Sequence, residues 1–502
     1  MRHRFVRLLL GGTLISLIAM PLAADSKKPN FIILIADDIG YDDLGCYGSL
    51  DARTPHIDSL AREGMRFSNA FLTASSCSPS RASIITGRYP HNNGEAAELH
   101  RPISAHLPSI SGLLRDHGYY AALAGKNHMT WKASEDEQTA PTDPFDKIYG
   151  SKIKGNSGGH GNWIKALEAK PKDKPYFLWL AALDAHRVWD GNLEWDESRF
   201  GPKHDADTVI LPPALIDTPA TRFDFASYMN EVTRFDHYVG QVVDWLKQNG
   251  EFEDTFLFVI SDNGRPFPRA KTRLHDDGMK TYFVATGPGI RPSGGVSDSL
   301  VSVIDITPTI CELAAAPPSP TFQGRSLTPV FKELTATIRP YAFSEHNWHD
   351  YEALGRSVRD GRYLYIQNDR PQFAQQGPAD SVASRSFQDL LKAHNESRLV
   401  NPIHQDIFRT PRPQLELYDT HADPHQVSNL AGDPKLTKVE RKLAAALRYW
   451  RDKTADSSPK KISGDYFDNE TGQRLPIKRA DYQQPPPGAD RSADRVNDEG
   501  LR

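Results

Sequence analysis

Cys77 begins the run Cys77-Ser78-Pro79-Ser80-Arg81, which places a thiol and a guanidinium about one helical turn apart. Pro79 suits the first turn of a helix, and Ala82 to Ile85 can carry that helix onward. Cys77 then falls at a helix N-terminus, where the dipole favours negative charge and anionic ligands. An isolated cysteine is more often a small buried apolar side chain; the reactive alternative is a thiolate. Four other segments carry complementary chemistry: Asp37-Asp38, Lys126-Asn127-His128, Asp184-Ala185-His186-Arg187 and Asp262-Asn263. The carboxylates of Asp37, Asp38 and Asp262 with the amide oxygen of Asn263 form an all-oxygen set suited to a hard cation, Ca2+ or Mg2+. His128 and His186 are of the residue type that moves protons near neutrality. Taken one at a time, each acid pair reads equally well as an ordinary turn, and each lysine or arginine as a solvated surface residue.

The elements around these segments argue for convergence. Phe31 to Ile35, Tyr119 to Leu123, Tyr176 to Leu180, Phe256 to Ile260 and Tyr282 to Ala285 are apolar runs that read as buried parallel strands. The first four lead directly into the four polar segments. In open α/β sheets, sites form outside the carboxyl ends of the strands, so four segments deliver acids, amides and bases to one edge. Thr54-Pro55 starts a helix that Gly64 closes, and Met229 to Leu246 has helical spacing at Val232, Phe235, Val239, Val243 and Leu246. Strands alternating with helices give an α/β fold, a large domain around a mostly parallel central sheet flanked by helices. From about Tyr341 the pattern changes: Arg356 to Gln367 and Leu415 to Thr420 read as short strands, and Lys438 to Trp450 as an amphipathic helix. The expected organisation is a leader over 1–24, a catalytic domain over 28–365, a smaller C-terminal α+β domain over 366–455, and a polar, Pro-rich flexible tail over 456–502.

Composition narrows the function classes. The 502 residues are 38% hydrophobic and 25% charged, with a formal net charge of -4. That describes a soluble globular chain with no basic excess for nucleic acid. The basic start through Arg7, the apolar stretch Leu8 to Leu22 and the small pair Ala23-Ala24 read as a cleaved signal peptide. No later stretch is apolar enough to cross a bilayer, so no stable membrane insertion is expected and the product is exported, to a periplasm or the medium. The cysteines are Cys46, Cys77 and Cys311, too few for a disulfide framework.

Cys-x-Pro-x-Arg followed by Ala82-Ser83-Ile84-Ile85-Thr86-Gly87-Arg88 resembles the signature of type I sulfatases, members of the alkaline-phosphatase-like superfamily. The companions Asn30 to Asp38, Gly125-Lys126-Asn127-His128 and Ser261-Asp262-Asn263-Gly264 stand in the family order. The similarity covers roughly Pro29 to Ala455. Three stretches resemble the heparan N-sulfatase (sulfamidase) branch more narrowly: Asp262 to Pro268, Asp217 to Arg222, and Ser386 to Leu391 with Leu415 to Asp419. Lys271 departs from that branch, which has arginine there, and agrees with many other sulfatases.

The resemblance implies that Cys77 is converted to formylglycine by a formylglycine-generating or anaerobic sulfatase-maturating enzyme. It favours Ca2+, with Asp37, Asp38, Asp262, Asn263 and the matured side chain at Cys77 as ligands. Arg81, Lys126 and Lys271 would surround the sulfate. His186 would act as the leaving-group acid and His128 would help expel sulfate. His100, Arg101 and Arg187 flank the motifs and are candidates for contact with a sulfated saccharide. The implied reaction is exo-acting hydrolysis of N-sulfoglucosamine-type ends. The alternatives are an O-sulfatase for another sulfated glycan such as ulvan or carrageenan, a phosphodiesterase or phosphonate monoester hydrolase on the same fold, and an unmatured glycan-binding protein.

Overall fold

The run Phe31 to Ile35 is apolar at every position because its strand, β1 (Asn30–Ala36), is covered on both faces. Phe31, Ile33 and Ile35 enter one hydrophobic cluster, while Ile32, Leu34 and Ala36 enter another on the opposite face. The computed structural model describes residues 27–103, 107–129, 144–151, 157–189, 195–457 and 463–476. The leader expected over 1–24 lies outside them. Among the described residues, no helix is long and apolar enough to cross a membrane.

The remaining strands of the central sheet are β2 (Met65–Phe71), β3 (Tyr120–Gly125), β4 (Lys147–Tyr149), β5 (Tyr176–Ala181), β6 (Thr255–Ser261), β7 (Lys280–Thr286), β8 (Gly295–Ser297) and β9 (Val301–Ser302). Their order is β4-β3-β5-β1-β6-β7-β2-β8, with β9 also paired to β2. The four consecutive strands β3, β5, β1 and β6 are mutually parallel. Their carboxyl ends therefore fall on one edge, with Ala36 opposite Ser261 and Gly125 opposite Ala181 in register. One expectation is corrected: β7 runs antiparallel to both β6 and β2. Parallel neighbours need a long crossover over the sheet face. The 262–279 connection instead stays at the site edge, with only the short helix Asp276–Met279, and returns directly.

Three helices matter for the site and its support. α1 (Pro55–Glu63) starts with proline in its first turn, as its sequence suggests. α2 (Cys77–Thr86) is buried at every residue and ends at Gly87, whose φ of 64° is the left-handed cap that glycine adopts readily. α3 (Pro219–Gln248) is longer than its periodic stretch because Thr218 caps it, accepting from the Thr221 amide.

A second sheet is antiparallel, in the order β10 (Ala342–His346), β11 (Gly355–Arg359), β12 (Tyr363–Asn368) and β13 (Leu415–Asp419). The division expected at residue 365 falls inside β12, because β10 and β11 already belong to this second sheet. The short helix α4 (Ala379–Val382) follows, and α5 (Thr437–Lys453) packs on β11 and β12. Trp450 of α5 is wholly buried, stacked on Phe343 at 5.0 Å and edge-on to Tyr89 at 5.0 Å. Tyr89 follows α2, so one tryptophan joins the small sheet to the segment carrying Cys77. Part of the tail expected from 456 lies among the described residues. The Asp456 side chain is wholly buried, bonded to Arg356 at 2.7 and 2.8 Å, and residues 463–476 pack against the body.

Candidate functional site

Gly125 ends β3 with a φ of 103°, and a Cβ there would lie 1.8 Å from the Ala181 carbonyl oxygen. Only glycine lets β3 approach β5 this closely, which brings Lys126 to the edge beside Asp37. Lys126 and Asp37 form a buried ion pair. Arg81, one turn into α2, is wholly buried; its Nε donates to Asp262 at 2.7 Å and its Nη1 to the Lys126 carbonyl at 3.3 Å. A further Arg81 nitrogen lies 3.8 Å from Asp37. Lys271 donates to Asp38 at 2.8 Å. Each of the three acids thus has its own cation, and all six side chains are largely or wholly buried. The Cys77 thiol, 2% exposed, points to Asp37 Oδ1 at 3.6 Å.

The electrostatics follow from this packing. Burial pushes the Cys77 thiol far above its ordinary value, and Lys126 and Lys271 only partly offset that. An unmodified Cys77 is therefore held as the neutral thiol, a poor nucleophile. Burial would raise the Asp37 carboxyl as well, but Lys126, His186, Arg81 and Lys271 together hold it below the usual carboxylate range. Asp262 is raised to about 6, by burial first and then by Asp37 and Asp38, against the pull of Arg81 and Lys126. Burial opposes the charge on Lys126 and Lys271, yet Asp37 and Asp38 hold each above the ordinary lysine value.

This arrangement fits a divalent cation. Ligand atoms of Asp37, Cys77 and Asp262 lie within 4.8 Å of one another. The side chain of Asn263 meets Asp38, and its Oδ1 is buried with no partner, an acceptor that a cation would satisfy. Asp38 sits at a φ of 67°, while its backbone amide donates to Asp262 at 3.3 Å, so the first and fourth strand ends are tied together. The loop carrying Asn263 and Lys271 is tied to the Cys77 loop through Thr272 N to Ser75 O at 3.1 Å. The donors are carboxylate and amide oxygens, which suit Ca2+ or Mg2+.

Above Cys77 is a cavity of about 320 Å3, lined by Leu99, His100, His128, His186, His349, Asp350, Asp380 and Phe467 among others. His100 Nδ1 bonds His128 Nε2, and the His100 amide donates to Ser78 Oγ at 2.7 Å. Burial, with Lys126, His100 and Arg81 nearby, lowers the His128 pKa well below its usual value, so its imidazole is neutral. His186 stands 3.8 Å from Asp380. Histidines and Cys77 line the cavity, and part of its wall, Asp350 and Asp380, carries carboxyl groups.

The structure brings Asp37, Asp38, Cys77, Arg81, Lys126, Asp262, Asn263 and Lys271 into one cluster, with His100, His128 and His186 on the cavity above it. It does not bring Arg101 or Arg187 to that cavity. Arg101 faces Glu95 and Glu98 at 3.6 and 3.7 Å. Arg187 is bound by both guanidinium ends to Asp224 at 2.9 Å and lies over the Trp189 ring at 4.0 Å. A short polar loop gives several side chains the same local signature, and packing decides which one faces the ligand. Asp184 likewise turns away, to Arg234 and His160, and braces the loop that bears His186. Trp163 is core, Trp189 and Trp195 are half-buried, and Trp131 lies outside the described residues. None of the described three lines the cavity. His349, Asp350 and Asp380 escaped the sequence reading. The signal for the first two was their place just beyond β10, a strand hidden before the expected division of the chain.

Residues 29–316 match the family model described as Sulfatase. The chain is 31% identical over 472 residues to the N-sulphoglucosamine sulphohydrolase of Homo sapiens, covering 86% of this chain and 91% of that protein. It is 26% identical to an ulvan-active sulfatase of Formosa agariphila, over 84% of this chain and 75% of that protein. A solved structure described as a 2-O GAG sulfatase superposes with a TM-score of 0.64 at 21% identity, over 90% of this chain and all of that one. The fold is alkaline-phosphatase-like. The chain belongs to the sulfatase family and is a hydrolase of the sulfuric ester and sulfamate class.

Proposed function

We propose that this chain is an exported, exo-acting glycan sulfatase that uses formylglycine made from Cys77 and acts on N-sulfoglucosamine-type ends. The observation that carries the reaction is the cluster around Cys77, where three acids and three cations surround a thiol that burial keeps neutral. Such a setting does not serve thiolate chemistry; it serves an oxygen nucleophile facing an anion. What supports the N-sulfated sugar is the 31% identity to the human N-sulphoglucosamine sulphohydrolase across nearly all of both chains.

A hydrated aldehyde at position 77 would supply one hydroxyl oxygen to bond sulfur as the substrate's sulfur–nitrogen or sulfur–oxygen bond breaks, and a second hydroxyl whose deprotonation lets the aldehyde re-form as the carbon–oxygen bond to sulfate breaks. Asp37, Asp38, Asp262, Asn263 and position 77 would hold a Ca2+ or Mg2+, which would supply positive charge to the site. The residues of the chain do the rest. Arg81, Lys126 and Lys271 neutralise charge on the sulfate oxygens in a site largely closed to water. His186 gives a proton to the departing nitrogen or oxygen. His128, neutral in its buried place, accepts one from the second hydroxyl as sulfate is expelled. His100 holds His128 in position through its ring hydrogen bond.

The test is release of free sulfate from a panel of defined oligosaccharides carrying N-sulfate or O-sulfate at terminal or internal positions. Preference for a terminal N-sulfate is the expected result. Release from O-sulfated sugars alone gives the O-sulfatase reading instead, and faster phosphodiester cleavage replaces both. The mass of the Cys77 peptide tests maturation separately: only unmodified thiol in active protein overturns the nucleophile.

A further inference from the structure

The segment after α5 contributes to the cavity, although nothing in its composition suggests an ordered role. Residues 463–476 form a small hairpin, closed by an antiparallel bridge between Phe467 and Arg474 and by Leu475 N to Tyr466 O at 2.8 Å. Its turn is fixed by Asp468 Oδ1, which accepts from the amides of Glu470 and Thr471 at 3.1 and 2.8 Å. The hairpin docks on the loop that bears His349 and Asp350. Tyr466 N donates to the Asp350 carbonyl at 2.9 Å, Trp348 Nε1 to the Gly464 carbonyl at 2.8 Å, and Glu352 N to Asp465 at 2.6 Å. The Tyr466 ring meets Trp348 edge-on at 4.7 Å, and Trp348 packs in turn on Cys77 and Leu99. Gly472, at a φ of 66°, lies so close to α4 that a Cβ would be 2.5 Å from the Ala379 carbonyl oxygen. The hairpin is thereby pressed against the helix that carries Asp380.

We propose that this hairpin is the size-selecting wall of the site: Phe467 and Gly472 bound the cavity above Cys77 and restrict it to a single terminal sugar ring. The inference rests on the sulfatase reading of that cavity and adds what sets its substrate size. Phe467 and Gly472 are the hairpin residues on the cavity lining, in the company of Cys77, His186 and Asp380. At about 320 Å3 the cavity is at the small end of ligand pockets, and Phe467 and Gly472 stand on its lining. Phe467 is half-buried and lines the cavity, so its ring offers apolar surface to a sugar there. The catalytic cluster comes from the parallel sheet, whereas the limit on what reaches it comes from the opposite end of the chain.

The experiment compares kcat/KM for a sulfated monosaccharide, for an oligosaccharide sulfated only internally, and for a small aryl sulfate, in the full chain and in Phe467→Ala. The expected result is at least about a tenfold fall in the ratio of monosaccharide to aryl sulfate, carried mainly by KM, and a rise in cleavage at internal sulfates. Gly472→Ala, which pushes the hairpin off α4, moves both ratios the same way. Glu470→Ala, on the exposed turn, leaves them unchanged. Equal loss on all three substrates in Phe467→Ala and Gly472→Ala overturns the proposal, since the hairpin would then only brace the Cys77 loop. Unchanged ratios overturn it too. If the unaltered chain releases sulfate from none of the three, the sulfatase reading of the cavity fails instead.

Discussion

Arg81 is the side chain whose replacement tests the site most sharply, because its fork does three things at once. It bonds Asp262 at 2.7 Å, holds the Lys126 carbonyl at 3.3 Å and faces Asp37 at 3.8 Å, with no exposure to water. Arg81→Lys keeps the charge but replaces a planar fork by a point, so at most one of these contacts survives. A hydrogen bond to a charged group contributes about 1.5–3 kcal/mol. Loss of one such bond in the transition state lowers kcat/KM about 10- to 100-fold, at about 1.4 kcal/mol per decade. Arg81→Ala goes further, leaving Asp262 buried beside Asp37 without its cation, and costs about 3–5 kcal/mol of stability. Urea unfolding measures that cost, with and without Ca2+. Calcium should restore part of it, since a divalent cation takes over neutralisation of the three carboxylates; binding at 100 times Kd adds about 2.7 kcal/mol. Activity of Arg81→Lys within twofold of the parent would refute the positioning argument. An Arg81→Ala protein as stable as the parent without Ca2+ would refute the charge balance.

Three further outcomes are expected. Cys77→Ala, and Cys77→Ser carrying no modification, should abolish sulfate release while leaving the fold intact by circular dichroism; near-normal turnover in either would sink the mechanism. His346 is buried, and burial together with Arg273 and Arg356 lowers its pKa to about 3. The unfolded chain takes up that proton near pH 6.5 and the folded one refuses it, so this stability is full above pH 6.5 and is lost as pH falls towards 3. The slope is about 1.4 kcal/mol per pH unit for one proton, and His346→Asn should flatten the urea profile between pH 6 and 4 by that amount. Trp450→Ala should cost about 3–5 kcal/mol in the same assay, because the ring is fully buried between Phe343, Tyr89 and His91; a loss under about 1 kcal/mol would mean the small sheet is held in place by other contacts.

What the sequence determined by itself is local and periodic. Phe31 to Ile35 and Phe256 to Ile260 announce strands covered on both faces, and the polar pairs after them announce strand ends. Pro79 and Gly87 bracket α2 with Cys77 at its start, and the motif around Cys77 carries the family. These signals survive in one dimension because each depends on neighbours within one turn or a few strand residues. The tertiary structure decided the rest. It set β7 antiparallel, since the path of the 262–279 loop depends on the edge it must serve. Arg187 was turned to Asp224, His349 and Asp350 were placed on the cavity from just beyond β10, a strand of a second sheet whose first strands read as part of the large domain, and Asp380 was placed there from α4. The 463–476 hairpin was laid beside Cys77 from nearly 400 residues away in the chain. Which polar side chain faces a ligand, and which distant segment walls the site, is fixed by packing between non-neighbours, and no short-range periodicity encodes that.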